Sequence, residues 1–166
     1  MIMRKAIITG SFDPITSGHA DLIERASGMF DEVYVVILAN TEKKNGLFSA
    51  EERLEIAKAA CACVKKGNVR AVLHSGLTSD IARDLGAGFI VRGARSGSDF
   101  DYEYNLACIM KRFAPEIETV ILPCTPELSA ISSTYVRDLL KYGCDLGDAV
   151  PEECRKLIIE LYNKQK

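Results

Sequence analysis

The sequence predicts an α/β protein: a five-stranded parallel sheet with helices on both faces. Three observations carry this. Short β-branched runs alternate with longer segments whose apolar residues recur at helical spacing. The strand-like runs are apolar throughout, as strands covered on both faces are. No repeat, low-complexity tract or Pro/Gly/Ser linker interrupts the chain, so residues 1–166 read as one domain.

Each element has its own signal. Ala6-Ile7-Ile8 reads as the first strand, and Leu22, Ile23, Ala26, Met29 and Phe30 as a helix behind it. Val33 to Leu38 is β-branched enough for a second strand. Ser49-Ala50-Glu51-Glu52 is a capping box that opens a helix through about Val64. Val69 to Leu73 is a third strand, Ser79 to Leu85 a short helix, and Phe89 to Val91 a fourth strand. A helix from about Asp99 to Phe113 and a strand from Thr119 to Leu122 follow. The next helix, from about Ser133 to Tyr142, stops at Gly143, and Pro151 starts the last one where no N–H is needed.

Composition narrows the function. Twenty-one basic against twenty-three acidic residues give a net charge of −2, which argues against a general nucleic-acid or membrane-surface binder. The apolar start is too short for a signal peptide, and no stretch approaches a membrane span. The six cysteines never form CxxC, and four of them fall in apolar helix or strand patterns. Reduced, packed thiols in the cytoplasm are expected.

In a parallel sheet, ligands bind beyond the carboxyl ends of the strands. That selects five loops: Thr9–His19, Ala39–Phe48, His74–Thr78, Arg92–Ser98 and Pro123–Thr134. The first holds neither GxGxxG nor GxxxxGK[ST]. Gly10 would let backbone approach a ligand, and Gly18 and His19 sit at a helix start, where free N–H groups favour an anion. His19 reads either as a plain helix-start residue or as a donor to charge developing in a transition state; its Gly-Ser-Phe-Asp-Pro context favours the donor. A Ser11–His19 hydrolase pair would need an orienting carboxylate and a nucleophile elbow, and no elbow is visible.

In the fourth loop, Arg92 and Arg95 read either as solvated strand-end arginines or as bidentate phosphate contacts, and Gly93 removes a side chain that would hold a ligand away. Lys43 and Lys44 read equally as phosphate contacts or as a solvated pair. Ser132, Ser133 and Thr134 are either helix caps or donors to a second anion site. Cys61-Ala62-Cys63 with His74 lacks zinc spacing, and His74 reads as a pocket wall or a satisfied loop residue. The acidic run Asp99, Asp101 and Glu103 alternates with Phe100 and Tyr102, which leaves metal binding and packing both open.

The stretch Gly10 to His19, ending Thr16-x-Gly18-His19, resembles the T/HxGH signature of the nucleotidyltransferase superfamily. Ile131-Ser132-Ser133-Thr134 resembles its second signature, ISSTxxR. Lys43, Arg92-Gly93-x-Arg95, Asp99-Phe100 and Tyr102-Glu103 are similar to the bacterial phosphopantetheine adenylyltransferase family, and the resemblance runs from about Arg4 to about Tyr162. It implies a Rossmann-like fold and transfer of adenylyl from ATP to 4′-phosphopantetheine, giving dephospho-coenzyme A and pyrophosphate. By that resemblance His19 would stabilise the transition state, helped by Lys43 and Arg92. Ser11, Lys43, Thr78 and Arg92 would contact phosphopantetheine. ATP would meet Ser11, Phe12, His19, Gly93, Ala94, Arg95 and Glu103, and the run Leu128, Ser129, Ala130, Ile131, Ser132, Ser133 and Thr134. Mg2+ would accompany the nucleotide phosphates, coenzyme A would feed back, and the assembly would be a homohexamer. Ser11 stands where the pattern usually has threonine, and Leu128 where some members carry tryptophan.

The acceptor is a phosphate monoester, largely dianionic at neutral pH because its second pKa is about 6. Direct in-line displacement therefore needs alignment and charge neutralisation, and no protein nucleophile or general base. Two alternatives stand beside this reading. A nucleotidyltransferase for nicotinamide mononucleotide or for a glycerol phosphate with CTP would keep both signatures but lack the Lys43, Arg92, Arg95 and Tyr102-Glu103 set. A non-catalytic nucleotide-binding module would tolerate loss of His19.

Overall fold

The computed structural model describes residues 3–39 and 46–165. Five parallel strands form one sheet in the order β3-β2-β1-β4-β5. The strands are β1 (Lys5–Gly10), β2 (Glu32–Leu38), β3 (Val69–His74), β4 (Phe89–Ala94) and β5 (Glu118–Pro123). The helices are α1 (Ser17–Met29), α2 (Ala50–Ala62), α3 (Thr78–Asp84), α4 (Gly97–Phe113), α5 (Ser133–Tyr142) and α6 (Glu152–Lys164). The capping box at Ser49 forms as expected, with Ser49 Oγ accepting from the Glu52 N–H and the Glu52 carboxylate from the Ser49 N–H. Gly143 ends α5 in the left-handed conformation at φ 68°.

Strand period sorts the core onto two faces. Ala6, Ile8, Val33, Val35, Ile37 and Val91 point to one side, where α1, α2, α5 and α6 bring Ile23, Ile56, Val136 and Ile158. Ile7, Val36 and Ile90 point to the other, against Ile81 and Ala82 of α3 and Ala114 and Ile117 beyond α4. Each fully buried isoleucine contributes about 1.5–3 kcal/mol, so the face carrying four helices dominates the stability.

Three expectations need correction. The strands run further toward their carboxyl ends than the apolar runs suggest, so Thr9, Gly10, His74, Arg92, Gly93 and Ala94 are strand residues rather than loop residues. Backbone pairing with β2 and β5 holds these polar or small positions in extended form. The cysteines are all free, but only Cys61 and Cys154 are buried, Cys124 is half-buried, and Cys63, Cys108 and Cys144 are exposed. Those three sit at helix termini or on outward faces, where apolar periodicity does not report burial. Finally, α4 buries only Glu103 and leaves Phe100, Tyr102, Tyr104, Leu106, Ile109 and Phe113 exposed.

The site position follows from the strand order. The chain winds from β1 outward to β3, then crosses back to place β4 on the other side of β1. β1 and β2 stay in register to Gly10↔Ile37, and β4 and β5 to Ala94↔Pro123. Between β1 and β4 only Ala6↔Phe89 and Ile7↔Ile90 are paired. The sheet therefore splits above Ile7 and opens a crevice at the topological switch point.

Candidate active site

Two adjoining cavities occupy that crevice. The larger, of about 550 Å³, is lined by both strand ends, the start of α1, and Ile131 to Thr134. The smaller, of about 400 Å³, lies toward α3 and α4 and is walled by Leu38, Leu77, Thr78, Leu106, Ile109, Met110 and Phe113 among others. Thr9, Arg92 and Glu103 line both cavities and form the partition.

The partition is a closed network. Arg92 meets Glu103 through both carboxylate oxygens, at 2.6 Å from Nε and 2.8 Å from Nη2. Its Nη1 crosses the split in the sheet to the Thr9 carbonyl at 2.9 Å and the Thr9 hydroxyl at 3.1 Å. Arg92 thus satisfies acceptors that the β1–β4 ladder leaves open, and Glu103 balances its charge.

At the mouth of the larger cavity, α1 begins with a capping box in which histidine replaces the usual acidic residue. The Thr16 hydroxyl accepts from the His19 N–H at 3.3 Å, and the Thr16 N–H donates to His19 Nδ1 at 3.0 Å. A ring nitrogen that accepts a backbone N–H carries no proton, so the imidazole proton resides on Nε2. Burial, and then the Arg95 cation, pull the His19 pKa down to about 4. Around neutral pH the ring is an uncharged Nε2–H donor.

Phe12 stands beside it, its ring edge-on to His19 with centroids 5.0 Å apart and planes at 70°. A Cβ on Gly10 would lie 3.1 Å from the Phe12 ring, so Phe12 fills the side-chain direction while Gly10 itself lines the larger cavity. A Cβ on Gly93 would likewise face Leu22 of α1, at an ordinary 3.4 Å. Ser11 lines the larger cavity, while Ala94 is buried behind it.

The second signature is wired into the first loop. Ser132 caps α5 by accepting from the Tyr135 N–H at 3.1 Å. The Ser133 hydroxyl donates to the Pro14 carbonyl at 2.8 Å, and Thr134 Oγ1 accepts from Arg137 at 2.9 Å. All three hydroxyls are thus engaged within the protein, and the starts of α1 and α5 face the same cavity. Arg95 pairs with Asp99 at 3.3 Å and reaches the Ile131 carbonyl at 3.4 Å.

The structure therefore brings Ser11, Phe12, His19, Gly93, Arg95, Glu103, Arg92 and Ile131 to Thr134 into one cavity, and Thr78 into its neighbour. Leu128 packs against the core, and Ser129 and Ala130 are exposed outside the cavity lining. Lys43 and Lys44 lie outside the described residues. Sequence reasoning missed Asp21, Leu22 and Arg25 of α1 as cavity residues and gave no role to Arg137 of α5, the arginine that ends the second signature; all four lie on the larger cavity's wall. Asp21 accepts from Thr125 at 2.9 Å and pairs with Arg25 at 3.3 Å. Its i,i+4 spacing from Arg25 looks the same on any surface helix, whereas the histidine in the Thr16-x-x-His19 capping position was a readable signal. Four arginines line the cavity against three carboxylates, and each arginine has a carboxylate partner.

Comparison with known proteins identifies the family. The model of the cytidylyltransferase-like family matches residues 7–139. A phosphopantetheine adenylyltransferase of Shouchella clausii is 40% identical over 162 residues, covering 98% of this chain and all of its own length. Those of Desulforudis audaxviator and Lactobacillus johnsonii are 44% and 47% identical, over 94% and 90% of this chain and 94% and 89% of their own. A crystal structure from Vibrio parahaemolyticus, ascribed to a nicotinate-nucleotide adenylyltransferase, superposes with a TM-score of 0.73 at 18% identity. It covers 98% of this chain and 97% of that one, and its likeness is one of fold.

Proposed function

The chain belongs to the phosphopantetheine adenylyltransferase family of cytidylyltransferase-like nucleotidyltransferases, and from that premise we propose how its two cavities divide the reaction. The enzyme transfers the adenylyl group of ATP to 4′-phosphopantetheine, giving dephospho-coenzyme A and pyrophosphate, in coenzyme A synthesis. In our reading the larger cavity holds ATP, its triphosphate toward the starts of α1 and α5 and toward Arg95. The smaller, apolar-walled cavity takes the pantetheine arm past Thr78, and the acceptor phosphate meets Arg92 at the partition.

The acceptor phosphate oxygen attacks the α-phosphorus, the bond to the bridging oxygen of pyrophosphate breaks, and no covalent enzyme intermediate forms. The His19 Nε2–H donates to charge growing on the transferred group. As a neutral donor held by Thr16, it loses no proton and needs none. Cysteine nucleophiles are disfavoured: Cys124 lines the larger cavity, but burial first, and then the Asp21 carboxylate, raise its thiol above the ordinary range, and burial pushes Cys61 and Cys154 up to about 12. The observation that carries this reading is the partition, where one arginine faces two cavities at the switch point.

Mg2+ fits as a companion of the nucleotide. The lining carboxylates Asp21, Asp99 and Glu103 are already paired with arginines, and among the described residues no group of three or more His, Cys, Asp or Glu could hold an ion. An ion carried on triphosphate oxygens with its waters needs no such group, and it neutralises phosphate charge there.

The exposed apolar face of α4 supports self-association, and the family resemblance implies a homohexamer. Feedback by coenzyme A and a cytoplasmic location belong to the same reading. The free cysteines fit a reducing compartment, and no described helix is long and apolar enough to cross a membrane. Sedimentation should give a hexamer, and a charged substitution at Ile109 should split it. A monomeric wild type would refute the assembly.

The activity test is pyrophosphate release with 4′-phosphopantetheine, nicotinamide mononucleotide and glycerol phosphate offered in turn. Only the first should turn over, and His19→Ala should lower kcat by about 10²–10³, the usual worth of one such donor. An α-thio-labelled ATP should give inversion at phosphorus. Retention would mean two displacements and overturn the direct mechanism.

A further inference from the structure

Arg53 stands in the first turns of α2, outside the lining of both cavities. Its Nη1 donates to the Ser11 carbonyl at 2.6 Å and to the Leu38 carbonyl at 3.3 Å, and its Nε to the Ser49 carbonyl at 3.3 Å. Ser11 follows the last residue of β1, and Leu38 is the last residue of β2. One guanidinium therefore clips two neighbouring strands where their chains turn away from the sheet.

Two residues further on, Arg137 Nη1 holds the Asp13 carbonyl at 2.6 Å. The buried Asp13 carboxylate accepts the N–H groups of Leu47 and Phe48 at 2.8 and 2.9 Å. Between the two held carbonyls Phe12 has φ 47°, a left-handed conformation that costs a non-glycine residue about 1–3 kcal/mol. Such a residue persists only where its surroundings over-determine it. The turn places the Phe12 ring, 2% exposed, against Gly10 on one side and the His19 imidazole on the other.

We propose that Arg53 is a positioning residue for adenylyl transfer: through the Ser11 carbonyl it maintains the left-handed turn at Phe12, whose ring keeps the His19 donor aimed. This rests on the role of His19 given above. Arg53 lines neither cavity, so its contribution falls on the chemical step rather than on binding.

The test compares Arg53→Ala, Arg53→Lys, His19→Ala and the Arg53→Ala/His19→Ala pair by pyrophosphate release, with thermal midpoints measured alongside. Arg53→Ala should lower kcat about 10- to 100-fold with both KM values little changed, because a misplacement of about 1 Å can cost about 10² in rate. Arg53→Lys should recover much of the loss, since an ammonium can still reach the Ser11 carbonyl. The double variant should be no slower than His19→Ala alone, because a brace cannot aim a missing imidazole. A wild-type kcat in Arg53→Ala overturns the proposal, as do multiplicative losses in the pair. A raised KM with kcat kept would make Arg53 a phosphate ligand instead and equally overturn it. Should Arg53→Ala not fold, Arg53→Gln carries the same comparisons. If wild type releases no pyrophosphate with 4′-phosphopantetheine, the functional reading fails. The brace is then judged by the His19 ring ¹⁵N shifts, which Arg53→Ala should displace and a purely structural role would leave in place.

Discussion

The Thr16–His19 capping box makes a prediction about a single proton. His19 and His74 are the two histidines of the chain, so ring ¹⁵N spectra against pH resolve each, with His74→Asn as the assignment control. His19 should remain neutral and protonated at Nε2 from pH 8 down past 5.5. Its pKa lies at about 4 instead of 6.5, first because burial penalises the imidazolium and second because Arg95 repels it. At pH 5.5 an ordinary imidazole is about 90% charged, whereas His19 would be about 3% charged. At full strength that shift is worth about 3.4 kcal/mol, at 1.36 kcal/mol per unit; His19 is only half-buried, so about 1–3 kcal/mol remains after solvent screening. The sign follows from proton uptake. The unfolded chain binds a proton that the native ring declines, so this stability is complete above pH 6.5 and is lost as the pH falls toward 4. Arg95→Ala should raise the pKa part of the way, because the larger cause is burial. Titration of wild-type His19 near 6.5, or a ring proton found on Nδ1, would refute the reasoning.

Lys43→Ala should raise KM for phosphopantetheine about 10- to 100-fold and that for ATP little, while Arg95→Ala should show the opposite bias; equal losses on both substrates would refute the division. Arg92→Ala should also favour loss on the acceptor side, with a lower thermal midpoint because Thr9 and Glu103 lose their partner. Asp13→Ala leaves two backbone N–H groups without their acceptor, and should destabilise by about 2–4 kcal/mol in denaturant titration at unchanged m; a shift under about 0.5 kcal/mol would show that water replaces the carboxylate. Ser11→Thr should keep kcat within about threefold, since a hydroxyl at this position of the larger cavity's lining survives.

Local chemistry was enough to read most of this molecule. Strand and helix periods, the Ser49 box and Gly143 name the elements, because each depends on residues within a turn or two of one another. The His19 and Ile131–Thr134 motifs are contiguous and so were visible as they stand. Lateral strand pairing is not local. Nothing in Thr9 or Arg92 to Ala94 says that neighbouring strands will hold them extended, nor that β1 and β4 part above Ile7 to open the crevice. The same limit hides Arg53, which reaches Ser11 across 42 residues of sequence, and hides the partner of the signature's Arg137, which reaches Asp13 across 124. It also explains Glu103, which the sequence offers as one of an acidic run and the fold commits to Arg92. Sequence by itself determined the layers and the chemical groups at their rim. Only the tertiary structure decided which carbonyl each arginine holds and where the imidazole proton resides, because those depend on distances between segments that no local pattern encodes.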